Sequence, residues 1–344
     1  MALAFGFACL LGSLGLVAVA QRATATPQDL PTRLSDRDFW RLSTEWSEPN
    51  GFFRSDNLTS NELYYQHVVA ELVGRTRQGD VYLGVGPEQN YTYIAAVKPS
   101  MAIIFDIRRG NLQLQLMYKA LFEMATDRAD LVSMLFAKPR PAGLGPKSSV
   151  VELFSAFANV PASEALYGQT LKAIEDRLTK VHGLPLVQQD LDGIAYVYRA
   201  FYVSGFAVRA VPTYADLMTA TDTKGGFLSY LASEENFMVL KNLESKNLVI
   251  PVVGDFGGAK AIRAVGAYLK SHGATVSTFY LSNVEQYLSQ DGKWSAFCKS
   301  VATLPLDGTS TFIRTTNQGA RVGGGPGFVS SLGAMATESK NCGA

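Results

Sequence analysis

The sequence is short of the residues that most reactive sites require. It holds three histidines, His67, His182 and His272, and three cysteines, Cys9, Cys298 and Cys342. No C-x-x-C pair and no His/Cys cluster occurs, so the pattern of a zinc site is missing and no metal is expected. Gly-x-Ser-x-Gly is absent and no His completes a Ser-His-Asp set, which argues against an α/β-type hydrolase. Gly-x-x-x-x-Gly-Lys-Ser/Thr and H-E-x-x-H are missing as well. Neither sign of charge dominates, with 31 Lys and Arg against 30 Asp and Glu. Without a basic stripe to displace counterions from phosphates, nucleic-acid binding is not expected.

What remains is ordinary for a globular protein with a sizeable core: 47% hydrophobic and 18% charged residues in a chain of 344. The N-terminus departs from this. Residues 2–20 carry no charge, a length that suits a signal peptide or a single membrane span. Ala18, Val19 and Ala20, and again Ala23, Thr24 and Ala25, fit the small-x-small pattern before a cleavage site. That pattern favours export to a periplasmic or extracellular space. The first basic residue, however, is Arg22, and the positive-inside rule then allows an uncleaved anchor with the body in the cytoplasm. Either way residues 1–25 stand outside the fold, and the membrane is met only through residues 2–20. Cleavage would leave Cys298 and Cys342, as a disulfide pinning the tail or as two unrelated thiols.

Along the chain, residues 26–60 are polar, with a short helix expected from Asp38 that docks Phe39 and Trp40. Residues 61–74 read as a helix carrying Leu63, Tyr64, His67, Val68 and Leu72 on one side. A βαβ rhythm follows: a strand at 81–83, Gly84, Val85, Gly86 and Pro87, a helix over 88–97, and a buried strand at 101–105 ending at Asp106. Leu114, Met117, Tyr118, Leu121 and Ala125 recur at helical spacing. A second cluster places strands at 248–253, 275–281 and 311–314, with a helix after Gly257 and Gly258 that closes at His272 and Gly273. Strands alternating with helices predict a mostly parallel sheet covered on both faces. The expected fold is α/β, a single Rossmann-like domain over 26–316. Residues 127–245 form a mostly helical insertion packed over the sheet's ligand edge. The Gly- and Ser-rich residues 317–344 are expected to form a flexible tail.

The strongest site signal is the pair of glycines followed by an acid. Glycines after a first strand bring the backbone close to a ligand, and the next helix offers unpaired amides. Asp106 lies 20 positions beyond Gly86 (106 − 86), where a strand-end carboxylate accepts ribose hydroxyls. A tight βα turn with a capping Asp is the structural alternative. Glu88 and Asn90 suit either a polar ligand or the helix start. Arg108 and Arg109 suit either an anionic group or pairing with Asp106 or Glu123. Ser282, Asn283 and Glu285 suit either a reaction site or a helix N-cap.

This order of motifs resembles the S-adenosylmethionine-dependent methyltransferase core. The stretches "GVGPEQNYTYIA", "DIRR", "VVGDFGG" and "FYLSNVEQYL" also resemble an uncharacterised bacterial family, over about residues 35–316. The methyltransferase resemblance implies S-adenosylmethionine as cofactor, held through Gly84 and Gly86 at its methionine part and Asp106 at its ribose. Ile107 and Arg108 would then flank the adenine, with Asp255 and Phe256 at its amine and face. Asn283, with Glu285 nearby, would sit where the methyl acceptor is oriented. The sequence departs from the pattern in placing Tyr82 where an acid is usual, in having only two glycines, and in the 149 positions between Asp106 and Asp255 (255 − 106). A non-catalytic exported binding or envelope protein on the same scaffold is the alternative.

Overall fold

The computed structural model describes Met1 and residues 29–317, 319 and 327–341. The expected signal or anchor segment, residues 1–25, lies outside the described residues apart from Met1. Six strands form one sheet: β1 Val81–Val85, β2 Met101–Asp106, β3 Val249–Val253, β4 Val276–Ser282, β5 Thr311–Asn317 and β6 Phe328–Ala334. Their order is β3-β2-β1-β4-β5-β6, parallel except for β6, which pairs antiparallel with β5. The fold is thus mixed α/β, with a mostly parallel sheet covered by helices. Strands β2 and β3 are buried at every position, as their unbroken apolar sequences require.

Pro251 sits inside β3, and a proline there is tolerated because β3 is an edge strand. Helix α1 (Asp36–Trp46) and the residues after it cover that edge. The Ser43 hydroxyl donates to the Pro251 carbonyl at 2.6 Å, and the Val253 amide donates to Ser47 Oγ at 2.9 Å. A free strand edge, which invites aggregation, is closed in this way.

The other helices follow in chain order: α2 Val69–Arg75, α3 Gln89–Val97, α4 Arg109–Met124, α5 Arg128–Leu135, α6 Val150–Ala158, α7 Glu164–Asp176, α8 Gln188–Ser204, α9 Tyr214–Thr219, α10 Glu234–Ser245, α11 Ala261–Ser271, α12 Val284–Gln290, α13 Trp294–Val301 and α14 Met335–Asn341. Helices α3 and α4 both contact α10, and α11 contacts α13. The usual right-handed crossover, applied to a path that runs β1 to β2 to β3 and then reverses to β4, puts these two groups on opposite faces. Helix α4 packs between the sheet and both α8 and α10, so it is buried nearly all round.

Two expectations need correction. The segment at 61–74 is not one helix, because a 3₁₀ turn at Tyr65–Val68 precedes α2. The tighter turn rotates the buried face onto Tyr65 and Gln66 and leaves His67 exposed. Residues 127–245 supply the expected helices: α5, α7, α8 and α10 pack on α4, and Arg209 of this region reaches the carboxyl ends of the strands. Finally, residues 328–341 are not an unstructured tail. They form β6 and α14, because β6 takes its support from seven paired positions on β5, Thr311 to Asn317, rather than from its own propensity. Cys298 is disulfide-bonded, while Cys342 lies outside the described residues.

A charged clamp joins the two ends of the helical layer. His182 bonds Asp36 at the start of α1 through Nδ1 and Glu123 of α4 through Nε2, both at 2.7 Å. Donating from both nitrogens requires the imidazolium. The Glu123 hydrogen bond raises the His182 pKa against the cost of burial, and Lys119 opposes it. A raised histidine contributes stability in full below its ordinary value of 6.5, and loses it as pH rises through the folded value. Replacing His182 with Gln should therefore lower stability by about 1–2 kcal/mol near pH 6 and by less near pH 9, read as urea midpoints. A loss that grows with pH would count against the clamp.

Candidate functional site

The carboxyl ends of the strands converge on one crevice, and backbone hydrogen bonds hold them there. The Gly86 amide donates to the Phe105 carbonyl at 3.0 Å, and the Gly254 amide to the Asp106 carbonyl at 2.8 Å. The tips of β1, β2 and β3 are thus stitched side by side. Strand β4 lies on the far side of β1, so the crevice sits where the strand order reverses, the usual ligand position in such sheets. A cavity of about 380 Å³ opens there, within the size range of small-molecule sites.

Eight of the expected site residues line this cavity together: Gly86, Asp106, Ile107, Arg108, Asp255, Phe256, Ser282 and Asn283. Gly86 has a φ of +79°, and a side chain there would point into open space. It presents no side chain to the cavity, while its carbonyl accepts from Gln115 Nε2 at 3.0 Å. Asp106 is clamped by Arg108, with Oδ1 accepting from the Arg108 amide at 2.9 Å and from Nε at 3.0 Å, and Oδ2 accepting from a guanidinium nitrogen at 2.8 Å. A carboxylate has about four acceptor positions, so one, on Oδ2, remains. Asp255 accepts from Lys293 Nζ at 2.6 Å and from the Gly257 amide at 2.8 Å. The Phe256 ring stacks on Phe279, centroids 5.5 Å apart, and so is held by the core.

Five others, Gly84, Glu88, Asn90, Arg109 and Glu285, lie away from the cavity wall. A side chain at Gly84 would collide with the Asn90 carboxamide oxygen. Asn90 is fully buried and locks the β1–α3 turn: Nδ2 donates to the carbonyls of Val85 at 2.9 Å and Pro87 at 2.7 Å, while Oδ1 accepts from the Tyr82 hydroxyl at 2.9 Å. Tyr82 thus occupies the position of the missing acid as a structural donor. Glu88 is fully buried and accepts from the Ser60 amide at 3.1 Å, leaving Oε2 without a partner. Burial pushes its carboxyl up to about 7 against the opposing hydrogen bonds. Glu285 turns to the outer side of β5, where Arg314 Nε donates to it at 2.7 Å. Asn283 stands at the N-cap of α12 but makes no side-chain cap bond. Arg109 pairs with Asp190 at 2.6 Å rather than with Asp106 or Glu123.

The sequence reading missed the cavity's roof. Residues 47–62 cross the strand tips, pinned where the Gly51 amide donates to the Ile107 carbonyl at 2.8 Å and where a side chain at Gly51 would strike Ile107. Glu48 accepts from the amides of Asp255 and Lys260, each at 2.8 Å, fastening the roof to the loop before α11. From this segment Phe53, Arg54 and Glu62 line the cavity, and Arg209 reaches it from the helical region. Only the adjacent Phe52 and Phe53 in a polar stretch hinted at such a role.

A family model described as "Domain of unknown function (DUF7790)" matches residues 57–325. The chain belongs to the DUF7790 family. The matched span runs from the roof through β1 to β5 and contains every cavity residue named above except Phe52, Phe53 and Arg54. No curated protein matches the sequence.

Proposed function

We propose that the protein binds a nucleoside-bearing small molecule of the S-adenosylmethionine class in this cavity and transfers a methyl group to an acceptor near Asn283. The observation that carries this reading is the joint lining of one crevice by Gly86, Asp106, Asp255, Phe256 and Asn283, contributed by four different strand ends. The absence of a side chain at Gly86 allows close approach of a ligand. Asp106 offers Oδ2 to one ribose hydroxyl, Asp255 an acceptor for the adenine amine, and Phe256 an apolar edge. Bound S-adenosylmethionine supplies an activated methyl on sulfur, so the protein's own task is to align the acceptor. Asn283 suits that task as a neutral group with both donors and an acceptor.

A second reading is favoured by the Arg108 clamp on Asp106, which leaves a single acceptor position where a ribose diol would use two. It is a non-catalytic small-molecule-binding protein on the same scaffold. Export would favour it too, since an exported protein has no ready supply of the cofactor. Mass spectrometry of the protein from its own host, giving a first residue near Gln21 or Thr26, would support export.

Isothermal titration with S-adenosylmethionine separates the two. The first reading expects a Kd on the order of micromolar, weakened about 10- to 100-fold in Asp106→Asn. Absence of binding at millimolar ligand, or binding unchanged in that variant, rejects it.

A further inference from the structure

Glu62 presents an unusual combination. Its carboxylate is buried, it lines the cavity, and it forms no ion pair among the described residues. Four neutral groups donate to it. Oε2 accepts from Gln89 Nε2 at 2.7 Å and Thr315 Oγ1 at 2.6 Å, and Oε1 accepts from the Tyr280 hydroxyl at 3.1 Å and the Ser282 hydroxyl. These donors come from α3, β4 and β5, so three elements converge to hold one carboxylate. Burying a charge without a counter-charge is costly even when it is hydrogen-bonded. Tying residue 62 to the sheet would need only a neutral side chain.

The saturation of this carboxylate limits what it can recognise. Its four acceptor positions are filled, so it offers negative charge but no place for a further N–H or O–H donor. Beside it stands Tyr280, whose ring packs 5.2 Å from Tyr93, and Phe53 and Phe328 line the same cavity. A carboxylate without free acceptors next to aromatic rings matches a cation that has no donors of its own, attracted by charge and by the ring faces.

We propose that Glu62 and Tyr280 form a subsite for an onium cation lacking N–H donors, a sulfonium or a quaternary ammonium, on the ligand of this cavity. The inference rests on the reading of the cavity as a ligand site and adds the charge of the group bound at its β4–β5 end. If the cation is the sulfonium of the proposed cofactor, the subsite distinguishes that cofactor from its neutral thioether. If it is a quaternary ammonium, it belongs to a different ligand or to the acceptor.

Two matched pairs test this on the full chain by isothermal titration: S-adenosylmethionine against S-adenosylhomocysteine, and choline against its neutral isostere 3,3-dimethylbutan-1-ol. The expected result is a cation preference of about tenfold or more in one pair, with the responsive pair identifying the source. Glu62→Gln should abolish the preference while leaving the neutral member's affinity within about threefold. Should that variant not fold, intermolecular NOEs from the cation's methyl protons to the Tyr280 ring in the unaltered protein replace it, and their absence overturns the subsite. No preference in either pair, or one that persists in Glu62→Gln, also overturns it. Equal binding of both adenosyl compounds without any cation preference rejects this inference alone. A choline preference with neither adenosyl compound bound rejects the proposed cofactor and leaves the subsite standing.

Discussion

Replacing Gly84 with alanine is expected to lower the unfolding free energy by about 4 kcal/mol, whereas the same change at Gly86 should cost only about 1 kcal/mol. The two glycines belong to one loop but answer to different constraints. At Gly84 an added methyl meets the Asn90 carboxamide oxygen and comes within 2.8–2.9 Å of the Tyr82 ring and hydroxyl. Asn90 would have to move, and it is fully buried and bonds two turn carbonyls and the Tyr82 hydroxyl. Overpacking and several unsatisfied polar groups therefore add in one place. At Gly86 the methyl enters open space, and the cost is that of a left-handed φ of +79° on an alanine. The functional consequence runs the other way. Gly86 lines the cavity, so a methyl added there should weaken ligand binding in a protein that still folds. Chemical denaturation of both variants checks the prediction, and equal losses would refute the division of roles.

Replacing Glu88 with glutamine should stabilise the protein by about 3 kcal/mol near pH 9 and change little near pH 4. Burial drives the effect: it pushes the carboxyl from its ordinary 4.5 up to about 7, while the hydrogen bond from the Ser60 amide and the charge of Arg209 pull the other way. The buried acid therefore holds its proton in the folded state at pH values where the unfolded chain has released it. Stability contributed by the neutral form is present in full below 4.5 and is lost as pH rises through about 7. A neutral amide of the same shape removes that loss. Glu244 acts in the same sense, since burial pushes it up to about 8, so the Glu88→Gln variant should keep a weaker decline at higher pH. Urea midpoints across the pH range give the measurement. A variant whose pH profile parallels that of the parent would show that Glu88 is ionised in the fold at little cost.

How far the sequence could be read depended on the range of the interaction concerned. Apolar runs at 101–105 and 248–253 announced buried parallel strands, because burial on both faces removes the need for alternation. The 20-residue interval from Gly86 to Asp106 announced adjacent strand tips, and the hydrogen bond from Gly86 to Phe105 makes that adjacency concrete. Strand β6 escaped notice because Gly and Ser carry little strand propensity, and its partner β5 supplies the ladder. The roof at 47–62 escaped notice because it is held by backbone contacts to Val253 and Ile107, which leave no periodic mark on the sequence.

By itself the sequence determined the alternation of strands and helices, the turn that demands glycine, and the placing of acids at strand ends. Each of these follows from steric and solvation rules acting within a few tens of residues. The charge state and freedom of the site were decided only when the chain closed on itself. Asn90 and Glu88 are near neighbours at the start of one helix, yet one locks a turn and the other is a buried acid. Glu62 receives hydrogen bonds from residues as much as 253 positions away. A carboxylate's properties depend on which donors surround it and on how much water is excluded, and both are set by tertiary packing.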